Sequence, residues 1–355
     1  MIADGITWFV GKVVEYMSEP YQSWDAFVNA ATLGIRMFFQ LESRFSWIYF
    51  VASFLIGIGV YAFERRKRNL GDGVSLARFI FPREVWGHPS AIVDYKFVAI
   101  DMTIKSLTYG PMFSGMTLLF YKAAFYVSQS TWLGFVSPIH PDPIMVAFVA
   151  LLVGDFGVFF GHCLAHKVPL FWIFHQIHHS AEVLTPVTVY RAHPIDGLLS
   201  SVVISIVTAL AAVSYTTMSG FPVGDLTILG VNAFTFLFYM AGAHLRHSHI
   251  WLSYGPIASW IFQSPAQHQI HHSKDPKHWD KNFGFMFSIW DALFGSLYIP
   301  REKESLQLGI AHANSEDFST VSKLYALPVV KAARYILGKQ EVTTVTIGEV
   351  SAKRD

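Results

Sequence analysis

Eight histidines fall into three short boxes. His162 and His166 form H-x-x-x-H, His175, His178 and His179 form H-x-x-H-H, and His268, His271 and His272 repeat H-x-x-H-H. Residues three or four apart stand one turn apart on one face of a helix, so each box aims its imidazoles at one point. Neutral imidazole is a good ligand for iron, zinc and copper. Between the boxes lie His193, in AHPID, and His244, His247 and His249, in AHLRHSH. These four are further candidates, and one or two of the last three are expected to bind metal. So many convergent imidazoles exceed the ligand number of one metal, about four to six, but fit two. An all-nitrogen shell with open positions suits iron that must bind oxygen.

Other metal chemistries fit less well. A zinc hydrolase would carry H-E-x-x-H with a glutamate base, and no Glu lies within any box. A soluble-type di-iron bundle would carry Glu-x-x-His pairs, which are absent. Cys163 is the one cysteine, so neither a cysteine zinc site nor an internal disulfide can form. Outside the boxes, His88, His140 and His312 read as ordinary hydrogen-bonded residues. Carboxylates that could orient ligand imidazoles are Asp155, two turns before His162 in an apolar stretch, Asp196, just after His193-Pro194, and Asp280. Asp291 reads as a cap for the turn or helix at ALFGS.

The elements that must hold these residues are apolar. The 355-residue chain is 52% hydrophobic and only 14% charged, against about a quarter charged in soluble domains. A net charge of +1 argues against a nucleic-acid partner. Five stretches are candidate membrane helices: about 45–63, 107–127, 144–161, 198–219 and 225–243. The first is followed by Arg65, Arg66, Lys67 and Arg68, and the 64–106 loop holds eight Lys/Arg against three in 1–44. That bias puts the loop in the cytoplasm. If all five stretches cross, every histidine-rich segment falls on the cytoplasmic side. The opening stretch, broken by Asp4, Glu15 and Glu19, does not read as a signal peptide.

The chain resembles the fatty acid hydroxylase / sterol desaturase superfamily of membrane di-iron oxygenases. The resemblance rests on DFGVFFGHCLAH, HQIHHS, RAHPID, RHSHIW, SPAQHQIHHS and NFGFMFSIWDALFGSLY, which occur in the family's order over about 150–300. It implies an all-α integral membrane protein with four or five membrane helices under a cytosolic helical cap that holds two metals. It carries His162, His166, His175, His178, His179, His268, His271 and His272 over as ligands, with His247 as the intervening one. His193, His244 and His249 stay open. The expected organisation is an amphipathic or peripheral segment over 1–44, membrane helices and a cytosolic loop over 45–143, a fatty acid hydroxylase-like catalytic domain over 144–302, and a polar tail over 303–355.

The resemblance further implies two iron ions, O2 as co-substrate and a lipid substrate, oxidised by hydroxylation or by desaturation or demethylation. No haem-binding H-P-G-G phrase or dinucleotide fingerprint is present. Electrons are therefore expected from a separate ferredoxin or cytochrome b5-like protein with its reductase. The expected location is a bacterial inner membrane or the ER, with the active site on the cytoplasmic face. A metal transporter is the alternative from another class. Transporters place ligands near the bilayer midplane, whereas these boxes sit at helix ends and in loops.

Overall fold

The computed structural model describes residues 2–41, 43–71, 73–110, 119–120, 142–219, 227–228, 231–311 and 313–339. They are mostly helical. The chain divides into two compact units, one of 1–46, 99–161 and 197–237, the other of 47–98, 162–196 and 238–355.

In the first unit, α1 (Ile2–Ser18), α2 (Trp24–Ala31) and α3 (Leu33–Phe39) precede the other elements. Ser23 caps α2 by accepting from the Ala26 amide. Two long apolar helices contribute most of their residues to this unit. They are α8 (Pro143–Lys167), whose residues up to 161 belong here, and α10 (Pro194–Ser219), whose residues from 197 do. Their approach is set by small residues. A Cβ added at Gly157 would stand 3.3 Å from the Val207 Cβ, and one at Gly161 would stand 3.7 Å from the Val203 Cβ. Glycine lets apolar helices pack backbone to backbone where no hydrophobic drive separates them from lipid.

The second unit holds α4 (Trp47–Arg66), α5 (Leu76–Ile80), α6 (Arg83–Trp86) and most of α7 (Pro89–Leu107), then α9 (Pro169–His179), α12 (Gly255–Ile261), α13 (Pro265–His271), α14 (Ile289–Phe294) and α15 (Val321–Ile336). One apolar cluster joins Ile80, Leu245 and Ile250 to Ile56 and Val60 of α4. Gly57 makes room there, with the Ile250 and Ile80 side chains each 3.1 Å from where its Cβ would be. A second cluster joins Val93 and Phe97 of α7, Ile177 of α9, Leu324 of α15, and Phe318 from the 3-10 turn (Ser315–Phe318) before it. Beside it, the fully buried Arg191 pairs with Asp94 at 2.8 Å and donates to the Ile177 carbonyl and the Ser180 hydroxyl.

Among the described residues, three helices are long and apolar enough to cross a bilayer: Trp47–Arg66, Ala147–Lys167 and Pro194–Ala211. They match the first, third and fourth apolar stretches. Most of the 107–127 stretch lies outside the described residues. The 225–243 stretch is not one long helix. It holds a two-residue antiparallel pairing, β1 (Thr227–Ile228) with β2 (Val231–Asn232), and then α11 (Ala233–Met240). Eight helical residues rise about 12 Å, well short of a bilayer core of about 30 Å. Gly242, at φ +89°, opens the 3-10 turn Ala243–His247 instead.

Candidate metal centre

Each box sits on an element whose ends are fixed by its sequence. His162 and His166 lie in the last turns of α8. Pro169 starts α9 at a first-turn position, where its missing N–H costs nothing, and the helix runs to His179 with its last seven residues buried. Box three begins at a capping box. The Ser264 side chain accepts from the Gln267 amide, the Gln267 side chain accepts from the Ser264 amide, and Pro265 follows the cap. The helix then presents His268 and His271, and His272 ends it. His247 comes from the 3-10 turn that follows Gly242.

These elements bring nine imidazoles into two groups. His162, His166, His175, His179 and His271 offer nitrogens that all lie within 4.8 Å of one another, and so do those of His178, His247, His268 and His272. In the second group His247 Nε2 stands 3.1 Å from His178 Nε2, 3.0 Å from His268 Nε2 and 3.1 Å from His272 Nε2. Two nitrogens bound to one tetrahedral ion at about 2.1 Å stand about 3.4 Å apart, so this spacing is near that of shared ligation. In the first group, Nε2 of His175 and of His271 are buried with no hydrogen-bond partner among the described residues. A buried nitrogen without a partner is costly unless something fills its lone pair. The donor set therefore fits two metal ions of the kind that prefer imidazole.

The outer nitrogens are held by acceptors. Nδ1 of His162 donates to the Phe283 carbonyl (2.9 Å), that of His271 to the Lys281 carbonyl (2.8 Å) and that of His178 to the Arg191 carbonyl (3.3 Å). His175 Nδ1 faces Asp196 Oδ2 at 3.1 Å, with both groups buried. A carbonyl can only accept, so these rings carry hydrogen on Nδ1 and turn the Nε2 lone pair to the centre. Burial, reinforced by neighbouring imidazoles, holds His178, His179 and His272 well below the usual histidine range, and burial pushes His271 down to about 3. His268 is held down by burial and then by the nearby Arg246 guanidinium. A lowered pKa favours the neutral ring in these five, as ligation requires.

The remaining candidates stand elsewhere. Both His193 nitrogens are engaged by backbone, Nδ1 accepting from the Ile195 amide and Nε2 donating to the Tyr325 carbonyl. His244 is buried against Phe50, its ring centroid 4.3 Å away. His249 donates through Nε2 to the Phe79 carbonyl at 2.8 Å. Asp155 is buried in the first unit, on α8. Asp280 takes φ +57° and pairs with Lys167 at 2.5 Å rather than with an imidazole.

Three residues that organise the site lack a local pattern. Asp291 is buried and accepts from the Phe283 and Gly284 amides and the Ser296 hydroxyl, which shapes the loop whose Phe283 carbonyl holds His162. Arg246 donates to the Gly284 and Phe285 carbonyls and, at 3.0 Å, to His268 Nδ1. Asn282, at φ +59°, donates to the Gln267 and Tyr298 carbonyls and ties that loop to α13. A cavity of about 130 Å³ opens against the centre, lined by His166, Trp172, His179, His271, Trp279 and Asp280 among others.

Residues 147–296 match the fatty acid hydroxylase family. An ornithine lipid hydroxylase of Rhizobium tropici is 30% identical over 225 residues, 62% of this chain and 62% of that protein. An alkylglycerol monooxygenase of Xenopus tropicalis is 29% identical over 158 residues, 44% of this chain and 31% of that protein. A Delta(7)-sterol 5(6)-desaturase of Eremothecium gossypii is 24% identical over 224 residues, 62% of this chain and 57% of that protein. The chain spans less than two thirds of the length of each of these relatives. No solved structure matches. The three histidine boxes fall within the stretch that matches, so residues 147–296 are similar to the fatty acid hydroxylase family and to its hydroxylase, monooxygenase and sterol desaturase relatives.

Proposed function

We propose that the protein is a membrane-bound di-iron oxidoreductase that uses O2 to hydroxylate a C–H bond of a lipid. His162, His166, His175, His179 and His271 would hold one iron, and His178, His247, His268 and His272 the other. The observation that carries this reading is the pair of imidazole groups, five and four strong, each drawn together within 4.8 Å. The iron pair, when bound, would supply O2 activation and the oxidising power for an unactivated C–H bond.

The chain's own part is positioning and exclusion. Asp196 keeps the His175 proton on Nδ1 and its ring aimed inward. The Phe283 and Lys281 carbonyls do the same for His162 and His271. Trp172 and Phe283 pack on His166, with ring centroids 5.0 and 5.1 Å away, and shed water from that side of the centre. Lipid as the substrate class is supported by the names of the relatives, an ornithine lipid hydroxylase among them. The Lys/Arg bias around α4 supports a cytoplasmic site. A separate ferredoxin or cytochrome b5-like protein would deliver electrons.

The test is metal analysis of purified protein together with lipid mass spectrometry of expressing cells. Two irons per chain and a lipid that gains one oxygen are expected. A lipid that loses two hydrogens would mark the desaturase outcome, which the sterol desaturase relative favours. His178→Ala and His271→Ala are expected to insert in the membrane but lose metal and product. Full activity in either variant would overturn the ligand assignment.

A further inference from the structure

We propose that α15 lies flat on an anionic lipid surface, with its outer face in the bilayer interface. The inner face of this helix is already occupied. Leu324, Pro328 and Ala332 are buried, and Leu324 belongs to the cluster with Val93, Phe97, Ile177 and Phe318. Lys331 donates to the Gln176 side chain on α9 at 3.1 Å.

From Ala326 onward the outer face is apolar and uncovered. Ala326, Val329, Val330, Ala333, Ile336 and the following Leu337 are all exposed. At 100° per residue they fall within an arc of about 120°. Ile336 is 70% exposed and Leu337 67%. A helix facing water would carry polar residues along this arc.

Charge selects the occupant. Residues 321–339 contain Lys323, Lys331, Arg334 and Lys339 and no Asp or Glu. Among the described residues, Lys323 donates to uncharged oxygens, the Glu316 carbonyl and the Ser319 hydroxyl. The ion pairs of the described residues leave out Lys323, Arg334 and Lys339. On the helix wheel Lys323 and Arg334 lie along one rim of the apolar arc. An apolar stripe with a cationic rim matches the boundary between acyl chains and anionic headgroups. The described residues include three helices apolar enough to cross a bilayer. The inner face of α15 rests on α9, so a helix bedded in lipid would fix the element that carries the second histidine box.

The experiment uses the full chain in vesicles, with a fluorophore on Val330→Cys or Leu337→Cys. Wild-type protein, labelled in the same way, is the blank for Cys163. Lipids brominated on the acyl chain near the glycerol are expected to quench both labels about twofold or more in vesicles rich in phosphatidylglycerol. Quenching is expected to fall in phosphatidylcholine vesicles, and in phosphatidylglycerol vesicles when Arg334→Gln and Lys339→Gln are added. Labels that stay unquenched in every vesicle overturn the proposal. So do labels shielded by a second copy of the chain, seen as label–label coupling that dilution into excess lipid abolishes. Quenching that ignores lipid charge overturns the anionic preference.

Discussion

At Asp196 a buried carboxylate meets a buried imidazole, and the contact sets which His175 nitrogen carries the proton. Asp196→Ala removes that acceptor while leaving all nine imidazoles in the chain. Loss of such a partner weakens metal binding by about 10–100-fold, so metal is expected to leave during dialysis while the protein stays folded. His193 makes the contrast. It lies three residues away, but both its nitrogens serve backbone groups. His193→Gln is expected to keep full metal content and to lower stability by about 1–2 kcal/mol through those contacts. Metal content and thermal midpoint, measured on both variants, separate the two roles. Loss of metal from His193→Gln would mean that His193 acts on the centre.

The residue scale also explains which parts of the site could be read from the chain. The boxes were legible because ligand spacing and helical spacing coincide over four or five residues. His244, His247 and His249 lie within six residues of one another, and no local pattern separates them. A 3-10 turn after a left-handed glycine turns His247 to the second group, and this depends on Gly242 at φ +89°. Arg246 and Asp291 were not legible, because Arg246 reaches Gly284 and Phe285, 38 and 39 residues along the chain, and Asp291 works through loop amides. Acidic residues near the boxes gave a mixed signal. Asp196 meets an imidazole, while Asp280 turns to Lys167.

Elements place the boxes by their ends. In α13 the capping box fixes the first turn, and the three histidines follow from it by helical spacing. Ser264 and Gln267 are fully buried, so no water can replace a lost bond. Ser264→Ala is expected to cost about 1 kcal/mol or somewhat more. It should also speed metal release, since His268, His271 and His272 all hang on this helix. A lower thermal midpoint with faster transfer of metal to a chelator is the expected pair of readings. A lower midpoint with unchanged release would show that the cap supports the fold but not the site. At this scale hydropathy misled once. The 225–243 stretch is apolar enough to suggest a span, yet β1, β2 and the short α11 divide it. Hydropathy measures transfer to lipid, whereas the backbone path is set by turn and strand residues that the same average hides.

For the whole molecule, the sides of the membrane follow from which ends must meet. His178 and His247 nitrogens stand 3.1 Å apart, so the end of α9 and the turn after α11 lie on one side. The C-terminal end of α8 carries His162 and His166 in the same group as His175, His179 and His271, so it lies there too. At about 37 Å, α8 is long enough to cross a core of about 30 Å. If α8 crosses, its start, where Asp142 accepts from the Ile144 amide, is on the opposite side. On the proposed reading, the basic run Arg65–Arg68 after α4 lies at a cytoplasmic end. If the histidine side is cytoplasmic, Lys67 and Glu302 share it and Asp142 does not. Lys67→Cys and Glu302→Cys are expected to react with an impermeant maleimide only when the cytoplasmic face is open, and Asp142→Cys only from outside, with the wild-type chain as the blank for Cys163. Labelling of Asp142→Cys and Glu302→Cys from one side would mean that α8 does not cross, and the cytoplasmic placement of the site would fall with it.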